Sequence, residues 1–248
     1  MMERLCLNPS AYGLSESSEL KRPLRILELG AGTGLLSLAI GSLCIRANIP
    51  AHIIATDYHP DVLHNLRENL TANPCSVSDS VTINVEPLDW KLFSDRRDAL
   101  DGGDGGSNPR SGDMTQTLDG LLSPIFSHPF DIIMASDVVY RPKHAEWLSC
   151  TVKSLLRRHD LPDIASDCDV TSRPPPPASF HLMAAIRPTH EHTRSSIEKA
   201  FNIHEESFKT NVDSPTLRIV SFQDIAIKAK PVGRADEIGY REYRIEWR

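Results

Sequence analysis

Residues 24–34 read Leu-Arg-Ile-Leu-Glu-Leu-Gly-Ala-Gly-Thr-Gly. A short apolar run, LRILEL, ends in glycines at 30, 32 and 34. Leu35, Leu36, Leu38, Ala39 and Leu43 then recur at helical spacing. That order predicts a buried strand, a tight turn and a helix. Glycines suit the turn because the backbone must reverse sharply and lie against a ligand with no Cβ in the way.

The same alternation continues downstream. His52 to Thr56 (HIIAT) predicts a second strand ending at Asp57, and Pro60 opens a helix with Val62, Leu63, Leu66 and Leu70 on one stripe. Val81 to Val85 and Phe130 to Ala135 predict the third and fourth strands, the latter followed by a helix from about Lys143 to Arg158. Phe180 to Ile186 predicts a fifth strand, with a helix near Thr193 to Phe201. Strands separated by helices imply an α/β fold, a doubly wound and mostly parallel sheet. The last two strand-like runs, Arg218 to Lys228 and Tyr240 to Trp247, have no helix between them and predict a closing antiparallel hairpin. In the second run Tyr243, Ile245 and Trp247 alternate with Glu242, Arg244 and Glu246, the pattern of a half-exposed strand.

Composition bounds the function. The 248 residues carry 27 Lys plus Arg against 33 Asp plus Glu, a net charge of -6, which argues against a surface built to grip a phosphate backbone. Five cysteines stand at 6, 44, 75, 150 and 168, never as C-x-x-C, so neither a disulfide framework nor a zinc cluster is expected. The expected setting is a reducing one, cytoplasmic or nuclear, and no apolar run is long enough for a membrane span. Residues 94–113 hold five of the 13 glycines amid many charges, and 159–178 contain Pro174 to Pro177. Both read as insertions that make loops.

Four strand ends carry the candidate chemistry. Glu28 precedes the first glycine by two positions, and position 35 is Leu rather than the last Gly of a dinucleotide G-x-G-x-x-G. An acid there suits an ammonium, directly or through water, better than a pyrophosphate. A cationic, phosphate-free cofactor such as S-adenosylmethionine fits the turn. Asp57 stands where a carboxylate accepts both hydroxyls of a ribose, or else serves as a turn residue before Pro60. Asp89 and Trp90 follow the third strand, where a ring can stack on adenine and a carboxylate can accept its amino group, although Trp90 also reads as plain core. After the fourth strand comes Ser136-Asp137-Val138-Val139-Tyr140. Asp137 by charge and Tyr140 by its ring face could hold an incoming amine, or cap a helix and fill a core. His190-x-His192 lacks a carboxylate or Cys to complete a metal site and reads as surface, so no metal is expected. His59 and His64 read as exposed helix residues. No G-x-S-x-G elbow or P-loop occurs.

Taken together, ILELGAGTGLLSLA, the acid in ATDYHPDVLHNLRENL, the Asp89-Trp90 pair and SDVVY resemble the seven-β-strand S-adenosylmethionine methyltransferases of family 16, whose characterised members are mostly protein-lysine methyltransferases. The likeness covers about residues 24–247. It implies a class I (Rossmann-like) fold in which residues 1–23 form a short N-terminal segment and residues 24–248 the methyltransferase domain, with insertions near 94–128 and 159–178. It implies S-adenosylmethionine contacts at Gly30, Ala31, Gly32, Asp57, Trp90 and the backbone of Ser136. Asp137 and Tyr140 would form the family's acid-x-x-aromatic motif beside a substrate lysine. The expected partner is a protein presenting a lysine, and the expected state a monomer. A small amine such as nicotinamide or an RNA remains open as substrate, as does a binding module that has lost turnover. One departure stands out: the family places a β-hairpin and a helix with a Trp before the first strand, and no Trp precedes Leu24 here. Cys6 to Tyr12 then reads as a shortened counterpart, or the chain as an incomplete start.

Overall fold

Each predicted strand run becomes a strand in the computed structural model, which describes residues 1–15, 22–74, 77–101, 122–158, 177–188, 191–201, 215–226 and 237–248. In chain order the elements are α1 (Met2–Leu7), β1 (Leu24–Leu29), α2 (Leu35–Arg46), β2 (Ala51–Asp57), α3 (Pro60–Ala72), β3 (Val81–Pro87) and α4 (Lys91–Asp101). They continue with β4 (Ile132–Ser136), α5 (Pro142–Leu155), β5 (Ser179–Ile186), α6 (Glu191–Ala200), β6 (Leu217–Ala226) and β7 (Gly239–Trp247).

The seven strands form one sheet in the order β3-β2-β1-β4-β5-β7-β6. β1 lies between β2 and β4, parallel to both, with Leu29 level with Thr56 on one side and Ala135 on the other. β7 runs antiparallel to β5 and β6, with Tyr243 opposite Leu182 and Phe222. This is the class I methyltransferase arrangement, a doubly wound parallel sheet closed by an antiparallel hairpin. Strand order reverses between β1 and β4, so the loops leaving their carboxyl ends diverge and open a crevice there.

Alternate residues of each strand serve opposite layers. Leu27, Leu29, Ile133, Ala135, Phe180 and Leu182 are buried with Phe93 of α4, Leu148 and Val152 of α5 and Ile197 of α6. Ile26, Ile53, Ile132 and Met134 face the other way, toward Leu36 and Ile40 of α2 and the N-terminal Leu5, Tyr12 and Leu14. Residues from the expected N-terminal segment thus belong to the core, while Cys6 is exposed.

Two expectations need correction. The loop expected from residue 94 starts later, because 94–101 complete α4. Phe93 and Ser94 are buried, and Arg97 reaches across to Glu146 of α5 at 2.6 Å. KLFSDRRDALD carries one apolar anchor and an i,i+4 Lys91–Asp95 pair, enough for a helix that docks. The rest of that expected insertion falls largely on residues 102–121, outside the described residues, as does most of the second, 159–176. The other correction concerns β7, which is not half-exposed: Glu242 and Glu246 are buried along with Tyr243, Ile245 and Trp247. Arg4 of α1 pairs with Glu242 at 2.7 Å, and Arg244 and Arg248 pair with Glu246 at 2.7 and 2.9 Å. A distant arginine for Glu242 and two flanking arginines for Glu246 let carboxylates sit on a covered face of an interior strand.

Among the described residues no helix is long and apolar enough to cross a membrane. No three His, Cys, Asp or Glu side chains gather there as metal ligands. His190 of the His-x-His pair lies outside the described residues.

Candidate functional site

The glycine turn leaves β1 at the switch point. Gly30 and Gly32 both have positive φ, 71° and 55°. The turn is tied to its neighbour strand by the Ala31 N–H, which donates to the Thr56 carbonyl at 2.7 Å, and closed by the Gly34 N–H on the Ala31 carbonyl at 2.8 Å. A Cβ on Gly30 would lie 2.7 Å from a methyl of Val138 and 3.5 Å from the Trp90 ring, whereas a Cβ on Gly32 would meet nothing within 4 Å. Gly30 is therefore pinched between the third and fourth strand ends. Gly32 faces open space.

Asp57 ends β2 beside this turn. Its Oδ2 accepts the Gly32 N–H at 3.3 Å, and its Oδ1 accepts the N–H groups of Tyr58 and His59 at 2.8 and 3.2 Å. The turn role and a place on an open cleft coincide in one carboxylate. Around it opens a cleft of about 500 Å³ lined by Gly32, Thr33, Asp57, Tyr58, His59, Asp61, Val62 and Asn65. Two carboxylates and no Lys or Arg line it, a setting that suits hydroxyls and disfavours phosphates. His59 caps α3 by accepting the Asp61 N–H at 3.2 Å, and His64 is exposed on the same helix, as expected.

Glu28 takes a different place from the one its position suggests. Its carboxylate lies buried beneath the turn and accepts the backbone N–H of Ser37 at 2.9 Å together with the Ser37 hydroxyl. It thus satisfies one orphan N–H in the first turn of α2. Burial pushes its carboxyl up to about 7, against the lowering effect of the Ser37 bonds. Asp89 is exposed and accepts the Lys91 N–H at 2.9 Å, starting α4. Trp90 is half-buried, packed against the core while its ring reaches Gly30.

Across the crevice, Ser136 ends β4 exposed and Asp137 follows with φ 54°. A left-handed residue other than glycine is uncommon and held by its surroundings. Here the Asp137 N–H donates to the Met183 carbonyl of β5 at 2.7 Å, and its Oδ2 accepts from Arg187 at 3.0 Å. Tyr140 is 52% exposed and lies edge-on to the His144 ring of α5. Val138 and Val139 between them are buried and anchor the segment. The sequence reading missed Arg187, Glu237 and Tyr240, which join Asp137 from β5 and β7. Arg187 could have been suspected from its position directly after a strand's carboxyl end, but nothing in the spacing announces Glu237.

Residues 8–100 match the family described as lysine methyltransferase, family 16 of the methyltransferases. The likeness to that family lies in this stretch. The match takes in the glycine turn, Asp57, Asp89 and Trp90 and ends before Ser136, Asp137 and Tyr140. Among curated proteins, the chain is similar to the protein-lysine N-methyltransferase EFM2 of Saccharomyces cerevisiae, 28% identical over 60% of this chain and 29% of that one. The protein-lysine N-methyltransferase EFM3 of Chaetomium thermophilum is 37% identical over 32% of this chain and 21% of its own. The protein-lysine methyltransferase METTL21E of Mus musculus is 32% identical over 53% of this chain and 41% of its own. The chain spans well under half the length of these relatives. Among solved structures, TrmN of Thermus thermophilus superposes with a TM-score of 0.48 at 13% identity, covering 98% of this chain and 48% of that one.

Proposed function

We propose that the protein is an S-adenosylmethionine-dependent methyltransferase that acts on lysine side chains of a protein. The observation that carries this reading is the cleft beside the glycine turn, which offers carboxylates and an open glycine but no cation, at the switch point of a class I sheet. A dinucleotide would need its phosphates neutralised; a ribose and a sulfonium do not.

In this reading Asp57 accepts the ribose hydroxyls, Trp90 stacks on the adenine and Asp89 accepts its amino group. Gly30, Ala31, Gly32 and the backbone of Ser136 border the amino acid end, and Glu28, buried beneath the turn with Oε2 on Ser37, acts on its ammonium only through water. S-adenosylmethionine supplies a methyl group on a sulfonium that an amine lone pair can attack. Asp137 and Tyr140 hold that amine, the carboxylate by accepting an N–H and the ring by its negative face. Alignment of the amine and exclusion of water carry most of the rate. Asp137 orients the amine, while its proton leaves to water. A reducing compartment suits the free thiols Cys6, Cys44 and Cys150.

Incubation with methyl-labelled S-adenosylmethionine and cell extract tests the reading. A labelled protein band whose label maps to lysine supports it. Label in nuclease-sensitive material or in a small amine makes the protein an RNA or small-molecule methyltransferase. Binding of S-adenosylmethionine with no label transferred makes it a binding module.

A further inference from the structure

The carboxylate assigned to the substrate amine does not stand alone. Arg187, directly after β5, has a side chain 6% exposed. Its Nη2 donates to Asp137 Oδ2 at 3.0 Å and to Glu237 Oε1 at 2.7 Å, and its Nε donates to the same Glu237 oxygen at 3.3 Å. Glu237 is itself 10% exposed in its side chain, and its Oε2 accepts the Tyr240 hydroxyl at 3.0 Å. Asp137, by contrast, is 39% exposed. A buried acid and a buried guanidinium therefore stand in series behind an acid that faces outward. The backbone holds the row together: the Ile238 N–H donates to the Ile186 carbonyl at 3.0 Å, clamping the segment before β7 to the end of β5.

We propose that Arg187 and Glu237 are positioning residues of the transfer site, which orient the Asp137 carboxylate and set the proton affinity of the amine it receives. The proposal rests on the reading of Asp137 as the lysine-facing acid. The Nη2–H of Arg187 restrains the carboxylate's rotation by engaging Oδ2, which leaves Oδ1 for the incoming N–H. The charges matter as much as the geometry. Asp137, Arg187 and Glu237 sum to one negative charge, and an ammonium beside the row feels all three. Removing the guanidinium leaves two negative charges, which stabilise the ammonium over the reactive amine. Removing the Glu237 charge leaves none, which favours the neutral amine.

The other groups facing this corner do not titrate in the range concerned. Burial lowers the pKa of His144, at the start of α5 beside Tyr140, so it is neutral from pH 7 upward. Burial and the bond to Glu237 raise that of Tyr240. Arg141 carries a fixed charge beside His144. Arg194 and Arg241 line the cavity of about 270 Å³ behind Arg187 with charges that also stay fixed, Arg241 being paired with Asp224 and Glu198.

The test measures initial methyl transfer from labelled S-adenosylmethionine to the protein that the wild type labels in cell extract, from pH 6.5 to 9.5. Wild type, Arg187→Lys, Arg187→Gln and Glu237→Gln are compared, with S-adenosylmethionine affinity read by calorimetry. One charge at this range predicts that the alkaline-rising limb moves by roughly half to one pH unit. It moves up for Arg187→Gln and down for Glu237→Gln, stays near wild type for Arg187→Lys, and cofactor affinity is unchanged throughout. Rates that fall with the limb unmoved reduce both residues to structural parts and overturn the proposal. Should Arg187→Gln fail to fold, the near-isosteric Glu237→Gln decides alone by the direction of its shift. A wild type that binds S-adenosylmethionine and labels no protein overturns the reading of the site itself, and this proposal with it.

Discussion

The carboxylate of Glu28, at the end of β1, receives both the backbone N–H of Ser37 at 2.9 Å and the Ser37 hydroxyl, so the strand before the glycine turn and the helix after it are joined beneath the turn they flank. The bond makes the acid part of the frame that sets where Gly30 and Gly32 lie. It also has a pH signature. Burial raises the Glu28 carboxyl from 4.5 to about 7 in the folded chain. Between those values the folded state binds more protons than the unfolded state, so stability falls as pH rises through the window. At 1.36 kcal/mol per pH unit the loss is about 3 kcal/mol. Glu28→Gln keeps an acceptor for Ser37 and has no proton to lose. Denaturant midpoints should therefore shift in favour of the variant by about 3 kcal/mol on going from pH 4.5 to pH 8. A difference from wild type that is the same at both pH values removes Glu28 as the cause.

Gly30 and Gly32 have similar backbones and different surroundings, which separates two costs. Gly30→Ala adds a methyl 2.7 Å from Val138 at φ 71°, so left-handed strain of about 1–2 kcal/mol is joined by overpacking of about 1–3 kcal/mol. Gly32→Ala meets open space and should lose only about 1–2 kcal/mol of stability. Its methyl instead projects into the cleft and should weaken S-adenosylmethionine binding at least as much as Gly30→Ala does. Urea melts and calorimetry on the two variants should rank them in opposite orders, or place them level in binding. Equal stability losses would mean that the contact with Val138 relaxes freely.

Much of this frame is legible in the sequence because its determinants are local. LRILEL and HIIAT are mostly buried on both faces, so they read as short, largely apolar runs, and the glycines after the first mark where the chain turns. What escaped is long-range. The polar face of β7 looks solvated until Arg4, in the first helix, is seen on Glu242. Arg187 and Glu237 lie 50 positions apart and meet only because β7 folds back beside β5. The distance of Glu28 from the first glycine is local, but the direction of its side chain depends on the helix that begins after the turn.

The helix α4 offers a direct check on a boundary the composition misplaced. Phe93 is 5% exposed in the layer that also holds Leu148 and Val152. Phe93→Ala should cost about 3–5 kcal/mol in urea unfolding. Arg97, whose pairing with Glu146 is 41% and 45% exposed, should lose under about 1 kcal/mol on conversion to Ala. A small loss at Phe93 would mean that the helix does not dock.

Asp57 tests the cofactor assignment. Because its two oxygens also hold the N–H groups of Gly32, Tyr58 and His59, Asp57→Ala confounds binding with the turn. Asp57→Asn keeps one acceptor for the turn and loses the charge. Its S-adenosylmethionine affinity should fall by about 1.5–3 kcal/mol, the worth of hydrogen bonds to a charged group, with a melting temperature close to wild type. Unchanged affinity by calorimetry takes Asp57 out of the site.

The division between binding and chemistry is tested at Asp137, and its backbone dictates the variant. At φ 54° an alanine is strained, whereas asparagine visits this region readily. Asp137→Ala should therefore lose about 1–2 kcal/mol of stability from the backbone alone, and any fall in turnover would be mixed with that loss. Asp137→Asn should melt near wild type and still accept the Arg187 bond through its amide oxygen. It presents the amine with a neutral group that donates where an acceptor is needed, so methyl transfer should fall at least about 100-fold as alignment is lost. S-adenosylmethionine affinity should hardly change, because the ribose and adenine contacts come from the first three strand ends. Tyr140→Phe should be milder, since the ring face that attracts a cation survives without the hydroxyl. Full turnover by Asp137→Asn on the identified protein would show that the acid serves only to clamp β4 to β5 through Arg187, and that the amine is held elsewhere.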